Sequence, residues 1–295
     1  MSILKLLAKI YFNKIEVKGA FPNSASFYIS NHRNGAVDGF VILSIFKQKL
    51  ISIIGKNLTN NAFMKCFFGG QIEIYRKPQN MEEMRHNRKE LNRINTEIEN
   101  GTSVLMFPEG TSHLNKGLLP IKKGVAHVYS SLKNQEIIPI GLHYEKGWSF
   151  RSNVFVQIGV PVKLSGETID EKIEEIKNTL ENVYDDEYTF AKPKKSILRS
   201  IIFSPIILLF FIFNLLVMCI PYFVGKKFAD DKNVIALWRI LSGVPVFLVQ
   251  LLIYVCLGFA YPIFLVVYVI VTIVGLLIYR PWKDAIGLSN EGGKK

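Results

Sequence analysis

The chain has 295 residues and a formal net charge of +12, from 36 Lys and Arg against 24 Asp and Glu. Its three cysteines, Cys66, Cys219 and Cys256, lie far apart without metal-ligand spacing, which excludes a disulfide framework and points to a reducing compartment. A basic balance fits nucleic acid or anionic lipid, and no nucleic-acid motif accompanies it here.

The opening stretch MSILKLLAKIYFNKI resembles a signal peptide only superficially, because Lys5 and Lys9 interrupt its apolar run and no small-residue cleavage site follows. Ile3, Leu6, Leu7 and Ile10 share one helical face with the lysines opposite. That spacing predicts a short interfacial helix over residues 1–13, although an amphipathic core helix would show the same pattern. Beyond it the period-two runs KIEVKG, SFYIS, ISIIG, QIEIY, SVLMF, IIPIGLHY and NVFVQIGVPV predict strands. The clearest helix between them runs from Met81 to Asn100, with Met84, Leu91, Ile94 and Ile98 on one face, Asn80 and Glu83 as a capping pair, and Gly101 as terminator. Another opens at Thr168, with Glu171 three residues later. Strands alternating with helices predict an α/β domain over 1–190, with a mixed, largely parallel sheet flanked by helices. Pro139, inside IIPIGLHY, is tolerable at a sheet edge or a bulge.

Composition changes near residue 200. Residues 191–199 read as a basic linker with Lys192, Pro193, Lys194, Lys195 and Arg199, and 200–280 as a membrane-embedded helical region. Ser200 to Gly225 and Ile240 to Tyr279 contain no Asp, Glu, Lys or Arg. Since roughly 20 apolar residues cross a bilayer, the second run predicts a helical hairpin turning near Gly258 to Pro262. Its two ends lie on one side, with Arg239, Arg280 and Lys283 as cytoplasmic anchors. Ile201 to Ile220 is interrupted by Pro205 and Asn214 and closed by Pro221, so a full crossing and a re-entrant segment both remain open. Residues 281–295 form a polar tail.

Four stretches carry chemistry. SNHRNGAVDGF follows the strand SFYIS, in the loop position where open α/β sheets place their sites. His32 and Asp38, six residues apart, cannot share one face of a helix, so a loop containing Asn34 and Gly35 must bring them together. In contact they would form a base and its orienter. GGQIEIYRKP ends a strand in Arg76 and Lys77, where a guanidinium can grip phosphate. VLMFPEGTSH turns through Glu109, which either organises the site by hydrogen bonds or caps its own loop; Ser112 and His113, adjacent in an extended loop, are expected to point apart. IIPIGLHY is a buried strand. His86, His127 and His143 have no motif around them and are expected to be structural or exposed. No GxSxG elbow and no metal cluster is present.

In motif order these stretches resemble the glycerolipid acyltransferases, over roughly Ile15 to Pro161. Asn31, His32 and Asp38 stand for the NH-x5-D motif, Gly70, Ile72 and Arg76 for G-x-I-x-x-x-R, Phe107 to Ser112 for FPEGTS, and Ile137 to Gly141 for IIPIG. Familiar members space His and Asp by four residues; five are associated with a bacterial and fungal branch, which leaves the acceptor open. The resemblance implies His32 as general base and Asp38 as its orienter. It further implies an acceptor site containing Asn31, Arg76, Glu109, Gly110 and Thr111, an acyl-CoA or acyl carrier protein donor as substrate, and no bound cofactor. Lys77, Lys116, Lys122 and Lys123 are secondary phosphate candidates. The implied product is an acylated glycerophospholipid precursor, first of all from 1-acylglycerol 3-phosphate, with glycerol 3-phosphate or another lysolipid as alternative acceptor. A non-catalytic membrane protein that binds or assembles lipid is the alternative of another class. Oligomeric state leaves no trace in the sequence.

Overall fold

The computed structural model describes residues 3–133 and 136–288; of the expected tail, 289–295 lie outside the described residues. In chain order the elements are α1 (Ile3–Tyr11), β1 (Lys14–Lys18), β2 (Phe27–Ser30), α2 (Val37–Ile45), β3 (Leu50–Gly55), α3 (Ala62–Phe68), β4 (Ile72–Ile74), α4 (Met81–Glu99), β5 (Ser103–Met106), α5 (Lys123–Ser131), β6 (Ile137–Tyr144), β7 (Asn153–Ile158) and α6 (Ile169–Glu181). Four further helices follow: α7 (Ile197–Phe213), α8 (Leu215–Phe228), α9 (Ile235–Ala260) and α10 (Pro262–Ile286). Two compact units result. The first comprises residues 1–9, 15–144 and 154–188; the second, residues 10–14, 145–153 and 189–295.

In the first unit the seven strands form one sheet in the order β1-β7-β6-β2-β5-β3-β4. The pairs β6/β2, β2/β5, β5/β3 and β3/β4 are parallel, and β6/β7 is antiparallel, so the sheet is mixed and largely parallel. Every residue of β2 and β5 is buried, as strands covered on both faces require. Side chains alternate across the sheet. Phe27 and Ile29 join a core with Ile94 of α4, Val125 and Tyr129 of α5 and Ile176 and Leu180 of α6, while Tyr28, on the opposite face, meets Phe46 edge-on at 5.1 Å beyond α2. Each fully buried large apolar side chain contributes about 1.5–3 kcal/mol.

Local signals explain the helix starts. Asn80 Oδ1 accepts from the Glu83 amide at 2.9 Å, and Thr168 with Glu171 completes a capping box. Three expectations are corrected. Met84 is 51% exposed, so the buried face of α4 is Leu91, Ile94 and Ile98 without it. Pro139 is neither at a sheet edge nor in a named bulge: β6 lies between β7 and β2. The ring sits where the β7 ladder, which begins at Ile140↔Ile158, has stopped, so the missing N–H costs little. Pro221 does not close its helix either; α8 continues through it to Phe228.

The second unit is built on the hairpin of α9 and α10, which breaks at Tyr261 as the uncharged run predicts. Both helices are long and apolar enough to cross a membrane. α7 runs antiparallel along α10: the Ser196 amide donates to Ala285 O, Trp282 Nε1 donates to Ser204 Oγ at 3.1 Å, and Asn214 Nδ2 donates to Thr272 Oγ1 at 3.0 Å. The chain then bends by 78° at Asn214. From there α8 returns along α9, with Pro221 against Gly243, Tyr222 below the Arg239 guanidinium and Phe228 against Trp238. The bend frees carbonyls that an apolar setting cannot hydrate; Gln250 Nε2 and Tyr254 Oη donate to Phe213 O at 3.1 and 2.9 Å. Arg280 and Lys283 are not surface anchors. Both are buried, Arg280 on Glu145 at 2.6 and 2.7 Å and on Asp284 at 2.8 Å, Lys283 on Ser149 Oγ and Phe150 O at 3.0 Å.

Candidate active site

Because β6, β2, β5, β3 and β4 are mutually parallel, their carboxyl ends fall on one edge of the sheet. That edge carries Tyr144 at the end of β6, Asn31 to Asp38 after β2, Phe107 to His113 after β5, and Arg76 after β4.

The loop after β2 is anchored first. Asn31 donates from Nδ2 to Leu142 O at 3.0 Å and accepts the Leu142 amide on Oδ1 at 2.7 Å, which pins the end of β2 to β6. Gly35 adopts φ +56°, a left-handed turn, and Asp38 enters α2 in its first turn. Its carboxylate then faces back across the loop. Oδ2 accepts from the amides of Arg33 and Asn34 at 2.7 and 2.9 Å and lies 2.8 Å from His32 Nδ1. Oδ1 accepts the Tyr144 hydroxyl at 2.7 Å. The six-residue spacing is therefore a loop wrapped around one carboxylate. Asp38 is fully buried and His32 is 7% exposed. With Nδ1–H directed at Asp38, the ring presents Nε2, which takes no hydrogen bond from the described residues, as a proton acceptor. Burial, and then the neighbouring Asp38 charge, push the Tyr144 phenol well above its ordinary range, so it remains a donor.

The β5 loop closes around the same histidine. Phe107 stacks on the imidazole at 4.4 Å between centroids, 20° from parallel. Glu109, fully buried, accepts the His32 amide on Oε1 at 2.7 Å, and on Oε2 the Leu119 amide at 2.7 Å and His113 Nε2 at 2.5 Å. Of the residues expected at the acceptor, Asn31 and Glu109 thus turn their polar atoms to the protein and organise the loops. Gly110 provides a left-handed turn, φ +72°, and Thr111 is exposed beside it. Arg76 lies two residues beyond β4, three strand positions from β2, or about 14 Å at ordinary strand spacing. Its side chain is exposed, packs against Gly55 and carries no hydrogen bond or ion pair among the described residues. Burial nevertheless lowers the guanidinium pKa, and a partly desolvated, unpaired cation is a ready anion site. Of the secondary candidates, Lys123 pairs with Asp170 at 3.2 Å, while Lys77, Lys116 and Lys122 are exposed.

Three neighbours of the dyad escape the sequence reading. Tyr144 ends β6, the strand beside β2, and only the strand order reveals its proximity. His113 does not point into solvent: it sits 8% exposed on Glu109, with Nδ1 3.4 Å from Arg33 Nη1. Arg33, equally buried, donates to Asp186 Oδ1 at 2.6 Å, to the Tyr184 hydroxyl and to Asn115 O. Burial lowers its pKa, and Asp186 opposes that shift. The segment supplying Tyr184 and Asp186 crosses β6 so closely that a Cβ at Gly141 would lie 1.9 Å from Val183 O, which is why a glycine stands there. Among the other histidines, His86 Nε2 bonds Glu73 O at 2.9 Å, His143 Nε2 accepts the Asp185 amide at 2.9 Å, and His127 is exposed.

A family model described as Acyltransferase matches residues 14–143, the stretch that carries every one of these motifs. The chain is 30% identical over 153 residues to 1-acyl-sn-glycerol-3-phosphate acyltransferase of Haemophilus influenzae, covering 50% of this chain and 62% of that protein. It is 27% identical over 192 residues to 1-acyl-sn-glycerol-3-phosphate acyltransferase alpha of Mus musculus, covering 58% and 64%. The chain spans less than two thirds of the length of these relatives. The crystal structure of the 1-acyl-sn-glycerophosphate (LPA) acyltransferase PlsC from Thermotoga maritima superposes with a TM-score of 0.47 at 20% identity, over 64% of this chain and 82% of that one.

Proposed function

We propose that the chain transfers a fatty acyl group from a thioester donor to a hydroxyl of a glycerophospholipid precursor, 1-acylglycerol 3-phosphate first of all, at the cytoplasmic face of a membrane. The observation that carries this reading is His32, with Nδ1 held by a fourfold-bonded Asp38 and Nε2 directed away from it. A thioester is already activated, so the site needs a base for the acceptor hydroxyl rather than a nucleophile of its own. The acceptor O–H passes its proton to His32 Nε2 as its oxygen bonds to the thioester carbonyl carbon. The tetrahedral adduct then expels the donor thiolate, which takes that proton back from Nε2. Asp38 orients the ring and stabilises the transient imidazolium. Arg76, partly desolvated and unpaired, fits the acceptor phosphate, and the distance between the β2 and β4 ends lets it and His32 address different atoms of one ligand.

The test is an assay of purified chain in detergent, offering acyl-CoA and acyl carrier protein donors against 1-acylglycerol 3-phosphate, glycerol 3-phosphate and phosphate-free lysolipids, with product identified by mass. His32→Ala should lower turnover by about 10²–10⁴ while the circular dichroism spectrum is unchanged. Turnover within a few-fold of the parent removes the general-base mechanism; transfer restricted to phosphate-free acceptors removes the Arg76 assignment.

A further inference from the structure

The contacts of the second unit decide how α7 to α10 can enter a bilayer. Along α7 the partners on α10 run from Ala285 through Trp282 and Gly275 to Thr272. Along α8 the partners on α9 run from Gln250 through Gly243 to Arg239 and Trp238. The start of α7 and the end of α8 therefore lie at the open end of the α9–α10 hairpin, opposite its tip at Tyr261. An α7–α8 pair that crossed as one broken span would instead bring Phe228 to that tip. The inner turn at Asn214 points toward the tip, with Gln250, Tyr254 and Thr272 satisfying its polar groups and Phe264 packing on the Phe213 ring.

Charge and aromatic residues divide along the same axis. Between Ile240 and Tyr279 there is no Asp, Glu, Lys or Arg, and the tip exposes Phe259, Tyr261 and Ile263. At the open end stand Lys192, Lys194 and Arg199 around the start of α7, Lys226 and Lys227 in the last turn of α8, and Lys232 before α9, all exposed. The exposed acids beside them are Asp230 and Asp231. All three tryptophans of the chain, Trp148, Trp238 and Trp282, belong to this end: Trp148 O accepts from Arg239 at 2.8 Å, and Trp238 and Trp282 lie in the first turns of α9 and the last turns of α10. Tryptophan at the level of helix ends flanked by cations is the arrangement that a bilayer's headgroup region favours.

We propose that α7 to α10 insert from one leaflet as a double hairpin, and that the basic collar at its open end docks on anionic phospholipid headgroups of that leaflet. The inference rests on contacts within the second unit and is independent of the acyl-transfer reading. The acidic lipid neutralises cations that have few acidic neighbours, and a zwitterionic surface would leave their charge uncompensated.

Two experiments on the full chain test it. With Cys66, Cys219 and Cys256 replaced by serine, Ser196→Cys and Ala229→Cys are introduced singly and exposed to a membrane-impermeant maleimide in sealed vesicles of known orientation. Both should label from the same side; labelling from opposite sides overturns the double hairpin. In vesicles of phosphatidylcholine carrying trace dansyl-phosphatidylglycerol or dansyl-phosphatidylcholine, energy transfer from the three tryptophans reports which lipid gathers at the open end. The anionic probe should be enriched about fivefold, the effect of one basic side chain at an acidic surface. That enrichment should vanish when Lys192, Lys194, Arg199, Lys226 and Lys227 are all changed to Gln. Equal transfer from both probes, or enrichment that survives these substitutions, overturns the collar as a lipid-docking surface.

Discussion

Asp38 holds four donors from two parts of the chain: the Arg33 and Asn34 amides and the His32 ring of its own loop, and the Tyr144 hydroxyl. Tyr144 is the one of these that can be removed without touching the backbone or the proposed base. A hydrogen bond to a charged group contributes about 1.5–3 kcal/mol, so Tyr144→Phe is expected to lower kcat by roughly tenfold or more while leaving the acceptor KM unchanged, because the phenol holds the orienter and not the ligand. A drop confined to KM would show that Tyr144 meets substrate instead. Arg76 has the opposite expectation. Arg76→Ala should raise the acceptor KM far more than the donor KM, and Arg76→Lys should restore it only in part, since an ammonium keeps the charge but loses the fork; equal changes in both constants would mark the residue as structural.

Between elements, the decisive contact is the crossing of the segment after α6 over β6 at Gly141. No side chain fits there, since Val183 O occupies the position of a Cβ. The same segment brings Tyr184 and Asp186 to Arg33, and Asp186 Oδ2 also accepts the Gly117 amide at 3.0 Å. A strand glycine thereby lets the sheet, the dyad loop and the loop after β5 share one buried cation. Gly141→Ala is expected to destabilise the first unit by about 1–3 kcal/mol through overpacking, and to loosen Arg33 in turn. A thermal or denaturant midpoint equal to the parent's would show that Val183 can shift without loss.

For the molecule as a whole, the two units follow different rules of burial. The first hides its apolar surface in a sheet core covered on both faces, whereas α7 to α10 leave Leu208, Ile212, Leu252 and Ile270 each more than half exposed. Apolar exposure on that scale calls for lipid rather than water. The chain is accordingly expected to stay in the membrane pellet after alkaline carbonate washing and to need detergent for release. Recovery in the carbonate supernatant would contradict a membrane-embedded second unit.

Periodicity and composition alone determine the seven strands, the capped starts of α4 and α6, and the uncharged hairpin with its break before Pro262. These are local signals: alternation, capping chemistry and hydropathy depend on residues within a turn or two of each other. Tertiary structure alone decides which strand ends lie side by side. Tyr144 reaches Asp38 because β6 pairs with β2, and Glu109 meets the His32 amide because β5 pairs with β2 on the other side; separations of 106 and 77 residues leave no mark in the sequence. It also assigns the roles of Asn31 and Glu109, whose chemistry suits a ligand as well as a loop, because only packing shows that their hydrogen bonds are already taken. The packing of α7 and α8 along α10 and α9 is likewise a matter of tertiary contacts. Proline and asparagine at a helix break permit a crossing or a return, and the difference lies in which turns of α9 and α10 receive the side chains on either side of Asn214.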